Sequence, residues 1–201
     1  MQQPEQIGTL LRPALPTINW SETQQSSSAL SKRRGEIVKQ RFGSDDDFKR
    51  KVNPDTQMPF GKEPTKAVMG DYPTLTDIDI AYGKGFATEW LLPHIARLSM
   101  FAGAKNIGIC QEKELAGIIA NEYPFLKITE ILLFFYRFRT GRYGRFYGTV
   151  DPLAITCALR DFIVERNDII AANENDETAP TAPSLPKPGE CPNIERLANN
   201  G

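Results

Sequence analysis

The sequence contains few of the residues that build catalytic and metal sites. It has one histidine, His94, and three cysteines, Cys110, Cys157 and Cys191, which are widely spaced and form no Cys-x-x-Cys pair. One histidine cannot build the usual zinc site or catalytic dyad by itself, so a structural or surface position is expected for His94. An odd number of isolated cysteines favours a reducing compartment over a disulfide framework. We therefore predict a cytoplasmic protein with no catalytic residue, metal or cofactor, and do not expect an enzyme.

Long hydrophobic runs and phosphate-binding loops are also missing. The apolar stretch ILLFF is soon broken by arginine, and the opening segment MQQPEQIGTLLRPALP lacks the basic start and apolar core of a signal peptide. No Gly-x-x-x-x-Gly-Lys-Ser/Thr pattern occurs, and Gly83-Lys84-Gly85 lacks the third glycine of a dinucleotide site. We expect no membrane contact, and no small-molecule substrate is indicated.

The composition fits one compact domain with extensions at both ends. The chain has 201 residues, of which 40% are hydrophobic, with 24 basic and 25 acidic side chains. No segment alternates in the manner of a strand, so the prediction is an all-α bundle of about four to five helices with flexible N- and C-terminal extensions. The predicted divisions are a flexible arm at 1–27, a short basic helix with an irregular connection at 28–71, the helical bundle at 72–173, and a proline-rich disordered tail at 174–201.

Local signals place the helices of the bundle. Thr76 is the expected cap of the first, with Asp79 three residues on, and that helix should run to about Leu92, where Pro93 starts or kinks a second piece. Further helices are expected over 111–123, 127–140 and 152–170, with stops at Gly103 and Gly141 and a start at Asp151-Pro152. Cys110 and Cys157 should be small buried side chains.

The most unusual stretch is FYRFRTGRYGRFYGTVDP at 135–152, because Ile131 to Val150 includes no Asp or Glu. One interpretation is a tight interhelical corner whose rings return to the core. The other is a partner-binding surface, in which arginines contact phosphates and exposed tyrosines stack on bases. Two arginines, Arg142 and Arg145, are expected to project into solvent, whereas Arg137 and Arg139 lie in an apolar helix and could equally pair with an acidic neighbour. The candidate binding residues are Arg137, Arg139, Arg142, Tyr143, Arg145 and Tyr147.

A second basic cluster, Lys32-Arg33-Arg34, lies in the segment KRRGEIVKQRFG. As a short arm beside a structured domain it could lie along a DNA backbone. A solvated helix face is the alternative, because Asp45 to Asp47 would offset much of its field.

A resemblance adds to this reading. The pattern Glu114-Leu115, Tyr123-Pro124, Glu130-Ile131 and Arg-x-Gly-x-Tyr-Gly-x-Phe-Tyr-Gly, followed by a final helix, resembles small uncharacterised all-helical proteins of Bacteroides-type phages and integrative mobile elements. The likeness covers about residues 72–170. It implies a DNA-metabolism setting, in which such proteins look like accessory factors of replication, for example helicase loaders or replisome organisers.

Two functional hypotheses remain open on the sequence. The first is a non-enzymatic adaptor that binds DNA or a replication protein such as a helicase through the corner, with the proline-rich tail as a second contact. The second is a structural or regulatory protein, of a virion or of anti-defence type, whose aromatic corner binds another protein without nucleic acid.

Overall fold

The computed structural model describes residues 20–103, 107–146 and 148–178, and over these residues the protein is all-α. It contains no strand there, although an isolated antiparallel bridge joins Thr74 and Lys127. The all-α prediction is confirmed, but the expected four to five helices are too few. The described residues form nine α-helices: α1 Trp20–Phe42, α2 Asp45–Lys51, α3 Gln57–Lys62, α4 Pro64–Met69, α5 Leu75–Tyr82, α6 Phe86–Ala102, α7 Ile109–Glu122, α8 Ile128–Arg139 and α9 Pro152–Thr178. Within the same ranges, no helix has the length and apolar character needed to cross a membrane.

Most of the additional helices lie where the sequence predicted an irregular connection. Helix α2 begins at Ser44, whose hydroxyl and backbone amide exchange hydrogen bonds with Asp47 in a capping box. A single 3₁₀ turn, Pro54–Thr56, leads into α3. Phe48 is fully buried in the same core as the later helices, and its ring contacts those of Phe86 and Trp90. These helices have six or seven residues, too few for a periodic pattern, and tertiary packing stabilises them.

Helix α8 is the central helix, and α3 approaches it unusually closely. A Cβ atom at Gly61 would lie 2.1 Å from the ring of Tyr136, so only glycine permits this contact. At the start of α8, the Thr129 hydroxyl donates to the Ala67 carbonyl, and Lys127 Nζ donates to the Val68 carbonyl at the end of α4. The carboxyl end of α8 therefore has a fixed position relative to the rest of the core.

Helix α1 is longer than predicted and begins inside the segment predicted as a flexible arm; residues 1–19 of that arm lie outside the described residues. Gly35 packs against α5, where a Cβ would lie 3.0 Å from Ile80 Cγ2. Val38 is buried, whereas Leu30 and Ile37 are exposed. Gly35 and Val38 are therefore residues through which the helix contacts the domain.

Helices α5 and α6 differ from their predicted boundaries. The cap of α5 is Thr74, which exchanges hydrogen bonds with Asp77, and not Thr76. The predicted cap partner Asp79 instead accepts a hydrogen bond from the Ala87 amide at the start of α6. Helix α5 ends before Gly83, and α6 continues through Pro93 to the predicted stop at Gly103.

The last helix begins as predicted and ends later. Asp151 Oδ1 accepts a hydrogen bond from the Leu153 amide, which fastens the first turn of α9. Helix α9 continues to Thr178, so the first residues of the predicted tail are helical. The remainder of that tail, residues 179–201, lies outside the described residues.

Candidate anion-binding corner

The corner is the segment of residues 140–151 that joins α8 to α9. It begins with Gly141, whose amide donates to the Phe138 carbonyl, and with Arg142, whose amide donates to the Arg137 carbonyl. Positive φ angles at Gly141, Gly144 and Gly148 (81°, 97° and 82°) turn the backbone where other residues would be strained. The ring of Phe146 stacks on Phe138 with centroids 5.1 Å apart. These aromatic side chains pack towards the core, and Arg142 and Arg145 lie on the outer surface of the corner.

One carboxylate, Glu165 of α9, neutralises part of this charge. Its oxygens lie 2.5 Å from Arg137 Nη1 and 2.7 Å from Arg142 Nε, and the Tyr143 hydroxyl donates to it over 3.3 Å. Burial, with the neighbouring Glu165 charge, raises the pKa of Tyr143 to about 12, and the hydrogen bond that Arg142 donates to Glu165 raises the pKa of Arg142. Arg142 is 54% exposed, as expected, but it is not the free cation that the sequence predicted.

Arg139, in contrast, has only neutral partners. Its guanidinium lies 4.8 Å over the ring of Phe101, and Nη1 donates to Gln57 Oε1 over 3.1 Å. Because Gln57 Oε1 accepts this bond, its amide nitrogen donates to His94 Nδ1, 3.2 Å away. His94 is only 1% exposed, and burial lowers its pKa to about 3 against a smaller raising effect of the Val52 carbonyl. His94 is thus a neutral core residue behind Arg139.

Arg145 is the least restrained arginine of the corner. It is exposed, and no carboxylate of the described residues forms an ion pair with it or with Arg139. Both arginines line a cavity of about 380 Å³ between the end of α6 and the corner, which we call the corner cavity. No acidic side chain contributes to its lining, which consists of Leu98, Phe101, Ala102, Phe138, Arg139, Thr140, Gly141, Gly144, Arg145 and Phe146.

A second cavity, of about 800 Å³, lies on the other side of Arg145 and Phe146, between the starts of α7 and α9. Its lining includes Asp151, whose Oδ1 is engaged by the Leu153 amide. Tyr147, another predicted binding residue, lies outside the described residues. Arg145 therefore stands between an acid-free cavity and one that contains a carboxylate.

The predicted basic arm occupies different elements from the corner. Lys32 and Arg33 are exposed on α1 and have no partner within the described ranges, whereas Arg34 Nη2 lies 2.6 Å from Asp77 Oδ1 on α5. Helix α1 packs against α5 and α2, and the corner packs against α8 and α9. Arg34 is exposed like Lys32 and Arg33, but Asp77 compensates its charge.

A charged cluster at the opposite end of α8 is closed to solvent. Glu130 is fully buried; its Oε2 accepts from the Lys127 amide at 2.8 Å and its Oε1 accepts from Arg166 Nε at 2.6 Å. Burial raises the pKa of Glu130, against the lowering effects of the Lys127 amide and of Arg166. Every charge of this cluster has an internal partner, so it is structural.

Other candidate chemistry is sparse in the described part of the chain. No group of three or more His, Cys, Asp or Glu side chains there is arranged to hold a metal ion. Cys110 and Cys157 are free and exposed, which corrects the prediction that they are buried. Sequence reasoning missed Glu165, which contacts Arg137, Arg142 and Tyr143. It follows the buried Phe162 by three residues on the same helix face, and this spacing is the signal that could have found it.

Comparison with known proteins gives one match. A family described as a family of unknown function (DUF6633) matches residues 106–197, which include α7, α8, the corner and α9. The match begins later and ends later than the resemblance seen over residues 72–170. No curated protein and no solved structure matches the chain. In its carboxyl-terminal half, therefore, the chain is similar to a family of unknown function.

Proposed function

We propose that the protein is a non-enzymatic accessory protein that binds nucleic acid through the corner. The observation that supports this most is the pair Arg139 and Arg145, two guanidinium groups beside one cavity with no carboxylate partner among the described residues. Cations whose charge no carboxylate offsets are available to neutralise phosphates and release counterions. The formal net charge of the chain is −1, so binding has to come from such a local patch.

The contribution of each predicted binding residue follows from its partner. Arg145 is the principal phosphate contact, because it is exposed and has no carboxylate partner in the part of the chain that the structure describes. Arg137 and Arg142 contribute less, because Glu165 already compensates their charges. Lys32 and Arg33 form a separate, weaker contact on α1. A role in replication of a phage or mobile element, with a helicase or another replication protein as partner, is the setting that the sequence resemblance implies.

The test is fluorescence anisotropy of labelled single- and double-stranded oligonucleotides at low salt, with wild type, Arg145→Ala and Arg142→Ala. The matched control is Lys84→Ala, an exposed cation at the opposite end of α6. Arg145→Ala should weaken binding about fivefold, as expected for the loss of one phosphate contact worth about 1 kcal/mol, and should do so more than Arg142→Ala. Equal affinities of Arg145→Ala and Lys84→Ala would refute a nucleic-acid contact at the corner.

A protein partner is the second candidate, and exposed apolar side chains near the corner favour it. Met100 and Phe101 end α6, and Leu153 begins α9, all of them more than half exposed. A pull-down from host lysate after nuclease treatment separates the two functions. Proteins that remain bound through the corner after nuclease treatment, and are lost on Leu153→Ser, would favour this candidate, whereas proteins lost with the DNA would favour the first.

A further inference from the structure

The corner cavity brings two kinds of binding group together. Arg139 and Arg145 provide positive charge, and Phe101, Phe138 and Phe146 provide aromatic surface. A volume of about 380 Å³ lies in the range of roughly 300–1,000 Å³ that small-ligand sites occupy. Such a cavity fits a ligand that carries an anionic group on one side and a flat ring on the other.

Arg139 is already held in position for such a ligand. The Phe101 ring lies under its guanidinium, and Gln57, itself fixed by the buried His94, holds Nη1. These contacts fix the side chain without offsetting its charge, because ring, amide and histidine are all neutral. A cation that is ordered before binding loses little further conformational entropy when a ligand arrives.

Phosphate suits these two arginines better than a carboxylate does. One guanidinium fork is enough to bond both oxygens of a carboxylate, whereas a phosphate monoester offers three oxygens and a charge near −2. The cavity has two guanidinium groups, one of which already donates from Nη1 to Gln57, and no acid in its lining. The doubly charged group therefore matches the available donors.

The aromatic side chains of the corner cavity provide a surface on which the flat ring of a ligand can stack. Phe101 is 57% exposed at the end of α6, whereas Phe138 is buried beneath Phe146. An exposed ring beside a phosphate site is a stacking platform, and every nucleobase has a face that can stack on it.

We infer that the corner cavity binds a single nucleotide unit, with its phosphate held by Arg139 and Arg145 and its base stacked on the face of the Phe101 ring that Arg139 does not cover. The inference rests on the proposed function, since it makes a nucleotide with a terminal phosphate monoester, at the end of a nucleic-acid strand, the unit that the corner binds. Recognition of one phosphate and one base also favours single strands, whose bases are free to leave the stack.

The test is titration of the full chain with deoxyadenosine monophosphate, followed by amide chemical shifts and by calorimetry. Deoxyadenosine and inorganic phosphate are titrated separately, so that the base and the phosphate are each probed alone. The variants are Arg145→Ala and Phe101→Ala, both at exposed positions. Their controls are Lys84→Ala, an exposed cation at the opposite end of α6, and Phe125→Ala, another exposed ring that lies 5.7 Å from an arginine, Arg166.

The expected result is saturable binding of the nucleotide with shifts around Thr140 to Phe146, weakened about fivefold or more by each cavity variant. The control variants should bind like wild type, and the separate base and phosphate should bind more weakly than the nucleotide. No binding, shifts elsewhere, or tighter binding of N-acetylphenylalanine than of the nucleotide would overturn the inference. If oligonucleotide binding depends on Arg145 while the mononucleotide does not bind, the cavity inference falls and the proposed function stands.

Discussion

The two ends of helix α8 carry charge in different ways. At its start, Glu130 is buried and fully paired with Arg166 and the Lys127 amide. At its end, Arg137 and Arg142 share one carboxylate, Glu165, whereas Arg139 and Arg145 have no carboxylate partner among the described residues. A closed cluster satisfies its own charges and serves the fold, whereas an open cluster with excess cations is available to a partner. The difference separates the structural residues of this helix from the candidate binding residues.

Part of the excess charge at the end of α8 has a structural role. Arginines in the last turn of a helix interact favourably with the carbonyl groups that have no helical partner there. This effect is confined to the last turn and is shared by Arg137 and Arg139. Arg145 lies beyond it, so its charge contributes least to the fold.

The largest expected effect is a loss of stability on substitution of Glu130, at the start of α8. Glu130→Ala removes the partner of Arg166 inside the core and should lower the free energy of unfolding by about 3–5 kcal/mol. Glu165→Ala, at a side chain that is 24% exposed, should lower it by about 1 kcal/mol. Urea denaturation measures both, and equal losses would remove the distinction between the two ends.

The second effect concerns the histidine behind Arg139. Its pKa is about 3 in the folded protein and 6.5 when exposed, so below pH 6.5 the unfolded chain takes up a proton that the folded protein does not. The contribution of neutral His94 to the free energy of unfolding is therefore complete above pH 6.5 and is lost progressively as the pH falls towards 3. Between pH 7 and pH 5 the loss should be about 2 kcal/mol.

His94→Gln is the control for that prediction, because it removes the titrating group and leaves the carboxylates in place. Unfolding free energies of both proteins at pH 7 and pH 5 give the comparison. Wild type should lose about 2 kcal/mol more than the variant between these pH values. The same loss in both would mean that His94 does not titrate as its burial implies.

The third effect concerns the carboxyl end of α8, where removal of the Glu165 charge leaves more arginine charge uncompensated. Glu165→Gln keeps the shape of the side chain and leaves Arg137 and Arg142 without their carboxylate. Affinity for a single-stranded oligonucleotide at low salt should rise about fivefold, equivalent to about 1 kcal/mol for one added exposed ion pair. Anisotropy measures it, after circular dichroism has shown the variant to be folded. Unchanged or weaker binding would argue against the corner as the interface.

Sequence signals that act over a few residues predicted the fold well. The start at Asp151-Pro152 and the stops at Gly103 and Gly141 are local backbone preferences, and the structure confirms them. The cap of α5 was misplaced because two overlapping patterns, Thr74-x-x-Asp77 and Thr76-x-x-Asp79, compete, and only packing against α6 assigns Asp79 to the Ala87 amide.

Interactions between distant parts of the chain could not be predicted from the sequence. Glu165 lies 23 residues after Arg142, and Gln57 lies 82 residues before Arg139. No local pattern signals that these pairs meet, so the sequence predicted Arg142 in solvent and offered Arg139 an unnamed acidic neighbour in place of Gln57. The acid-free run of residues 131–150 located the site, and tertiary contacts decided which of its arginines remain available.

The salt dependence of oligonucleotide binding tests the central claim most directly, because its slope counts the phosphate contacts that a protein makes. Wild type and Arg145→Ala are compared with Lys84→Ala on one double-stranded oligonucleotide across a salt series. If Arg145 contacts a phosphate, its removal should reduce the magnitude of the log–log slope by about 1, and Lys84→Ala should leave the slope unchanged. Parallel lines for wild type and Arg145→Ala would contradict the account.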